Sequence, residues 1–433
     1  MIWIWIIAAA LISIFVCDKK IHWYHYIWIL LPIELYGVSI AGAMIKPYMI
    51  FGLAIIFYAL FKGEVYRKIP RSFFMVVMLV LISDILTGLK VSSIMQHIMF
   101  VFILIIALCY TFIQQKGIEF EQIGNVAIAT TIGYGIIFLI AGILYSRGIN
   151  MPGILAQDRL DSGIIMNFVS TGGIANFRLR GFCIDPNAVV TTLIPGAAYA
   201  FANLLYLGKN KFKSILAVFL FVCTIINSGS RMGMICTLFM FVYALCIGYK
   251  RTNKKKKWII VGSIVISVIL VYIIINFDAL LANMALELNG FFNSRASLTS
   301  EYGRLTIWRK NLSYLFESGG FLTGVGQNQI YLMSSSGLAC HNTWLEWICG
   351  TGLIIGTIID SWFLFTPFVF KHRTKHLDNQ TTNVIMPFIM SYVVTLICVT
   401  TIDNITNSIL LFLLVVFRYG RVKNISMYDK ERK

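Results

Sequence analysis

The chain has 433 residues, of which 58% are hydrophobic, and its mean hydropathy is +0.80. That composition excludes an ordinary soluble globular domain. The formal net charge of +17 invites a nucleic-acid reading, but the placement of the charges argues against one. Apolar runs recur from end to end, each long enough to cross a ~30 Å hydrocarbon core as a helix. Helices are needed because lipid cannot satisfy backbone N–H and C=O groups.

In chain order the runs predict spans near 2–16, 26–43, 47–61, 73–89, 94–113, 126–145, 188–207, 212–227, 231–249, 258–277, 343–370, 383–401 and 405–417. The first and last are short, so the expected fold is an all-α polytopic membrane protein of 12–13 transmembrane helices. The first run lacks a basic flank and a small-residue cleavage site, so it is read as a retained span. One membrane domain is expected over 1–433, with a smaller outer loop at 146–187 and a large outer loop at 278–342 that carries part of the site. Within the large loop, Leu305, Trp308, Leu312, Leu315 and Phe316 fall near helical spacing among Arg304, Arg309 and Lys310. This predicts an amphipathic helix on the membrane surface.

Loops 18–25, 62–72, 114–125, 208–213, 250–257 and 371–382 and the tail from Arg418 hold 25 of the 36 Lys and Arg but only 7 of the 19 Asp and Glu. They are alternate loops, as the positive-inside rule requires of the cytoplasmic side. No nucleic-acid partner is expected. The cytoplasmic side carries 18 Lys and 7 Arg, the outer side 3 Lys and 8 Arg. Arginine's planar fork grips phosphate in two places, so the outer face suits a phosphate-bearing ligand. The bland alternative is that cytoplasmic lysines merely inflate one side. Of the nine cysteines, only Cys183 and Cys340 fall in outer loops, and two unpaired buried thiols are expected ahead of a disulfide.

Three stretches could carry chemistry. Arg178 and Arg180 precede Asp185-Pro186-Asn187, where Asp185 fits a helix N-cap and Pro186 the first helical position. Arginines beside a helix N-terminus make an anion site. In Asn227-Ser228-Gly229-Ser230-Arg231-Met232-Gly233 a tight turn joins two spans, Ser230 is the expected N-cap, and Arg231 lies close to hydrocarbon. A charge there is costly unless it is paired or reaches lipid phosphate. The third is His341, a histidine at the re-entry of a long outer loop into the membrane. Thr343-x-x-Glu346 after it reads as a capping box, which makes Glu346 scaffold rather than catalyst. At neutral pH His341 could take a proton from a hydroxyl. Arg304 and Arg309 divide evenly between ligand contact and surface charge, and Glu34, Asp84 and Asp360, inside spans, stay unassigned. The sequence has no Walker motif, no GxSxG and no His and carboxylate metal triad.

Arg180-Gly181 with Asp185-Pro186-Asn187, then Gly229-Ser230-Arg231, then His341-Asn342 with Glu346, Gly350 and Gly352 resemble, in that order, the bacterial O-antigen polymerase and O-antigen ligase superfamily of C-type membrane glycosyltransferases. The resemblance implies transfer of a polyprenyl-diphosphate-linked glycan on the outer face of the bacterial cytoplasmic membrane. It implies His341 as the base, Arg180, Arg231 and Arg304 on the diphosphate, and Asp185, Asn187, Asn342 and Glu346 in support. No metal and no cofactor are expected. The implied partners are the lipid-linked donor and acceptor, membrane lipid, and the flippase and chain-length regulator of the same pathway. A polymerase is favoured, for O-antigen or capsule. The alternatives are a ligase acting on lipid A-core and, from a different class, a transporter of a lipid-linked or anionic solute.

Overall fold

The computed structural model describes residues 2–62 apart from 19, 41 and 42, residues 69–147 apart from 115, residues 149, 151, 155–158, 177–183, 185–228, 230, 233–235, 237–242 and 304–423. The helices are α1 Ile2–Val16, α2 Ile27–Leu30, α3 Pro47–Phe61, α4 Arg71–Leu86, α5 Val91–Ile113, α6 Phe120–Ser146, α7 Pro186–Ala202 and α8 Lys211–Ser228. Within the large loop lie α9 Arg304–Glu317 and α10 Ile330–Met333, and after it come α11 Thr343–Thr351, α12 Leu353–Leu364, α13 Thr366–Arg373, α14 Asn379–Cys398 and α15 Ser408–Tyr419. Two small antiparallel hairpins complete the set, β1 Val38–Ile40 with β2 Ala43–Ile45 and β3 Leu155–Asp158 with β4 Phe177–Gly181.

The protein is an all-α polytopic membrane protein. Among the described residues, six helical stretches are long and apolar enough to cross a membrane: Val91–Ile113, Phe120–Tyr145, Pro186–Leu207, Lys211–Ser228, Leu353–Arg373 and Thr381–Thr401. Helix α6 packs against α1, α7 and α8, and α7 also packs against α14. Every residue of α7 is buried, so its N-terminus opens from the middle of the bundle. Phe15, Phe61, Phe74, Phe212 and Phe368 stay exposed on outer faces, which suits lipid rather than water.

The basic loops meet at one end. Lys213 pairs with Asp18 at 3.0 Å, Lys209 with Glu121, Ile118 N–H donates to the Arg421 carbonyl, and Arg373 donates to the Phe417 and Gly420 carbonyls. The other end gathers the turns at 31–46, 87–90, 180–185, 318–342 and 402–407.

Three expectations need correcting. The apolar run 26–43 is not a helix. It is helical only through Leu30, then turns and enters the β1–β2 hairpin. Pro32 removes a donor, and Glu34 N–H and Leu35 N–H donate instead to the Phe182 carbonyl at 3.2 and 3.0 Å. The run 343–370 is not continuous. It breaks at Gly352, whose φ of +85° and lack of Cβ let the chain pass 2.1 Å from where a side chain would meet the Leu322 carbonyl. The amphipathic helix exists as α9, but its buried stripe is Ile307, Asn311 and Leu315, with Leu305 and Phe316 exposed. The span expected at 258–277 lies outside the described residues, as does the end of 231–249.

Candidate functional site

The chain from Cys398 to Asn407 cannot continue as a helix because polar side chains capture its backbone. Asn404 Oδ1 accepts from Thr406 N–H, and Asn407 Oδ1 caps α15 through Leu410 N–H at 2.9 Å. The resulting turn is stitched to the start of α11. Asp403 Oδ1 accepts from Asn342 N–H at 3.0 Å, Thr343 Oγ1 donates to the Ile402 carbonyl at 2.6 Å, and Asn404 N–H donates to Thr343 Oγ1 at 3.3 Å.

His341 sits on this seam in a left-handed conformation, φ +48°. A non-glycine residue there is strained and is held by its surroundings. Its Nδ1 is 3.1 Å from Asp403 Oδ2, and the ring is 48% exposed. With Nδ1–H donated to the carboxylate, Nε2 keeps its lone pair. The Asp403 carboxylate holds the His341 pKa above the ordinary histidine value, against the opposing pull of burial and of Arg304. Asp185 adds to the upward push, which brings the Arg180–Asn187 turn within electrostatic reach of the ring. Asp403 was not singled out in the sequence. Its signal was a carboxylate in the short polar turn between two apolar runs.

The expected cap geometry changes at α11. Asn342, not Thr343, is the N-cap, accepting from Trp344 N–H and Leu345 N–H at 3.0 and 3.2 Å. Glu346 therefore closes no capping box. It is buried, and its Oε1 accepts from Asn328 N–H at 3.2 Å while Oε2 has no hydrogen-bond partner among the described residues.

On the facing turn, Asp185 caps α7 as expected, accepting from Asn187 N–H at 2.7 Å, with Pro186 at the first helical position. Gly181, φ +57°, turns the chain where a Cβ would strike Phe138 at 2.6 Å. Arg180 is half-buried, and its Nε is buried with no partner among the described residues. An unmet guanidinium N–H is costly, and an anion at the α7 N-terminus would satisfy it. Ser230 is the expected cap, accepting from Gly233 N–H at 3.0 Å. Arg178's side chain and Arg231 lie outside the described residues. Arg304 and Arg309 lie exposed on α9.

The remaining sequence candidates resolve as follows. Cys183 and Cys340 are free buried thiols, and Cys340 Sγ lies 3.8 Å from Cys349 Sγ rather than near Cys183. Asp84 is paired with His97 Nδ1 at 2.8 Å and Ser93 Oγ at 2.9 Å. Asp360 is buried with Oδ1 unpartnered.

Residues 216–359 match the family model described as O-antigen ligase. The match covers about a third of the chain. It contains Arg231, Arg304, His341, Asn342 and Glu346, whereas Arg180, Asp185, Asn187 and Asp403 lie outside it. No curated protein matches the chain.

Proposed function

We propose, on the premise that the match at residues 216–359 places this chain with the O-antigen ligase and polymerase superfamily, that it is a membrane glycosyltransferase using a polyprenyl-diphosphate-linked glycan. The observation that carries the reading is the His341–Asp403 pair set within electrostatic reach of the Asp185-capped N-terminus of α7. One half of that arrangement accepts a proton and the other holds an anion.

In this reading His341 Nε2 takes the proton of an acceptor hydroxyl. The hydroxyl oxygen bonds to the anomeric carbon of the donor. The bond from that carbon to the diphosphate oxygen breaks, and polyprenyl diphosphate leaves with the electron pair. Arg180, with Arg231 and Arg304, stabilises the charge on the departing diphosphate together with the α7 N–H groups. Asp403 orients the imidazole and stabilises the imidazolium as it forms. Glu346, Asn342, Asn187 and Asp185 hold the turns. The reading places the site on the outer face of the cytoplasmic membrane, because the basic loops gather at the opposite end of the bundle. The polymerase reading is retained from the sequence, with a second lipid-linked repeat unit as acceptor.

The test is a reconstitution of purified protein in lipid with the lipid-linked repeat unit, no metal and no nucleotide. A ladder of glycan lengths that vanishes in His341→Ala and Arg231→Ala supports a polymerase. Transfer only after lipid A-core or another acceptor is added makes it a ligase. Lipid translocation without any new glycosidic bond overturns the reading in favour of transport.

A further inference from the structure

Beside the Arg180–Asp185 turn lies a group of buried polar side chains that the mechanism does not use. Glu34 is 1% exposed, Lys46 7% and Tyr48 0%. Glu34 Oε1 has one long contact, from Asn407 Nδ2 at 3.4 Å, and Asn407 Nδ2 also reaches Thr191 Oγ1 at 3.3 Å. Among the described residues, Glu34 Oε2 and the Tyr48 hydroxyl have no partner. The Lys46 ammonium sits 5.9 Å from the centroid of the Tyr48 ring.

Glu34 and Lys46 are of opposite charge and feel each other's field. Yet among the described residues they form no ion pair within 4.0 Å. A carboxyl and an amine buried apart lose hydration without the compensating contact. Buried polar groups in proteins are otherwise almost always hydrogen-bonded. The unmet groups therefore suit an occupant that both donates and accepts. A hydroxyl does both: it can donate to the carboxylate and accept from the ammonium or the phenol.

The position selects the occupant. Glu34 N–H and Leu35 N–H both donate to the Phe182 carbonyl, and Cys183 Sγ donates to the Pro32 carbonyl at 3.7 Å. The turn carrying Glu34 is thus clamped to the turn carrying Arg180 and Asp185. An anion held at Arg180 and the α7 N-terminus would have its covalently attached group next to it. We propose that Glu34, Lys46 and Tyr48 form a sugar subsite, taking the hydroxyls of the sugar joined to the diphosphate of the lipid-linked glycan. This rests on the diphosphate reading above.

The experiment measures binding of two lipids to the full protein in nanodiscs: polyprenyl diphosphate carrying the repeat unit, and bare polyprenyl diphosphate. Tyr48→Phe is the informative variant, because the hydroxyl it removes has no protein partner and its loss leaves the fold intact. Tyr48→Phe and Glu34→Gln are each expected to weaken the glycosylated lipid by about tenfold and the bare lipid by less than about twofold. Equal losses on both lipids, or none on either, overturn the proposal and leave the three side chains as structural groups only. Arg180→Ala tests the diphosphate reading separately. If Arg180→Ala holds both lipids as tightly as the wild type, the diphosphate reading fails, a result distinct from the selective loss on the glycosylated lipid that tests the subsite.

Discussion

Ser230 Oγ donates a 2.5 Å hydrogen bond to Asn187 Oδ1, and both side chains are buried. Asn187 is the second residue of α7, and Ser230 precedes the helical stretch beginning at Gly233. The bond ties together the two turns that carry Arg180 and Arg231. Arg180 Nε has no partner among the described residues, so this joint is what fixes its turn against the Ser230 turn.

Asn187→Ala removes the acceptor and leaves the buried Ser230 hydroxyl without it. The expected cost is about 1–3 kcal/mol, read as a lower Tm in detergent. On the proposed function, the apparent KM for the lipid-linked donor should rise more than kcat falls, because the two turns proposed to hold the diphosphate separate while His341 stays on its own seam. A variant with unchanged Tm and unchanged KM would show that the two turns hold their spacing without the bond.

A second joint is made by Ser93, which accepts from Gln327 N–H at 2.9 Å and donates to Asp84 Oδ1 at 2.9 Å. Asp84 in turn pairs with His97, whose ring lies parallel to Trp347 with centroids 5.9 Å apart. Gln327 precedes Asn328, which holds Glu346 on α11. Ser93→Ala should therefore cost about 1–3 kcal/mol and lower kcat, by loosening the helix that begins beside His341. Hydrogen exchange localised to 325–351 is the check. Faster exchange confined to α4 and α5 would separate this network from the site.

Gly352 and Gly319 make a controlled pair. Both have positive φ, +85° and +72°. A Cβ at Gly352 would lie 2.1 Å from the Leu322 carbonyl oxygen, whereas nothing lies within 4 Å of one at Gly319. Gly319→Ala should cost only the left-handed penalty of about 1–2 kcal/mol. Gly352→Ala adds a backbone clash that cannot relax by rotating a side chain, so its Tm should fall much further. Equal losses would mean that the 322–326 turn moves freely off α11.

Much of the bundle was legible in the sequence. Lipid demands long, all-round apolar helices, so α5, α6 and α8 announced themselves by length and composition alone. Asp185-Pro186 stated the start of α7 through local capping chemistry. The failures are tertiary. The run 26–43 is apolar because it is buried, not because it spans, and hydropathy does not separate the two. The buried face of α9 differs from the expected one because Asn311, a polar residue, is drawn inward by the 336–340 turn, where its Oδ1 accepts from Ser336 Oγ at 2.7 Å. Asp403 escaped because its role comes from a turn that meets His341 only in the fold.

That pair yields the sharpest prediction. The pKa of His341 is raised, chiefly by Asp403. A base works only when neutral, so the acid limb of the transfer rate should lie above the ordinary histidine value near 6.5. Asp403→Asn removes the chief upward push and leaves only that of Asp185 against burial and Arg304, which both favour the neutral ring. The limb should then move to lower pH while the plateau falls, since the ring loses its orienting partner. His341→Ala should lose about 10²–10⁴-fold. The same linkage fixes a sign for stability. A folded-state pKa above the unfolded one contributes stability that is fully present below the unfolded value and is lost as pH rises through the folded value. The wild type should therefore exceed Asp403→Asn in Tm most clearly near pH 5, with that pH-dependent part of the margin gone at alkaline pH. A variant whose acid limb coincides with that of the wild type would remove Asp403 from the proton transfer and leave it as a tie between α11 and the turn before α15.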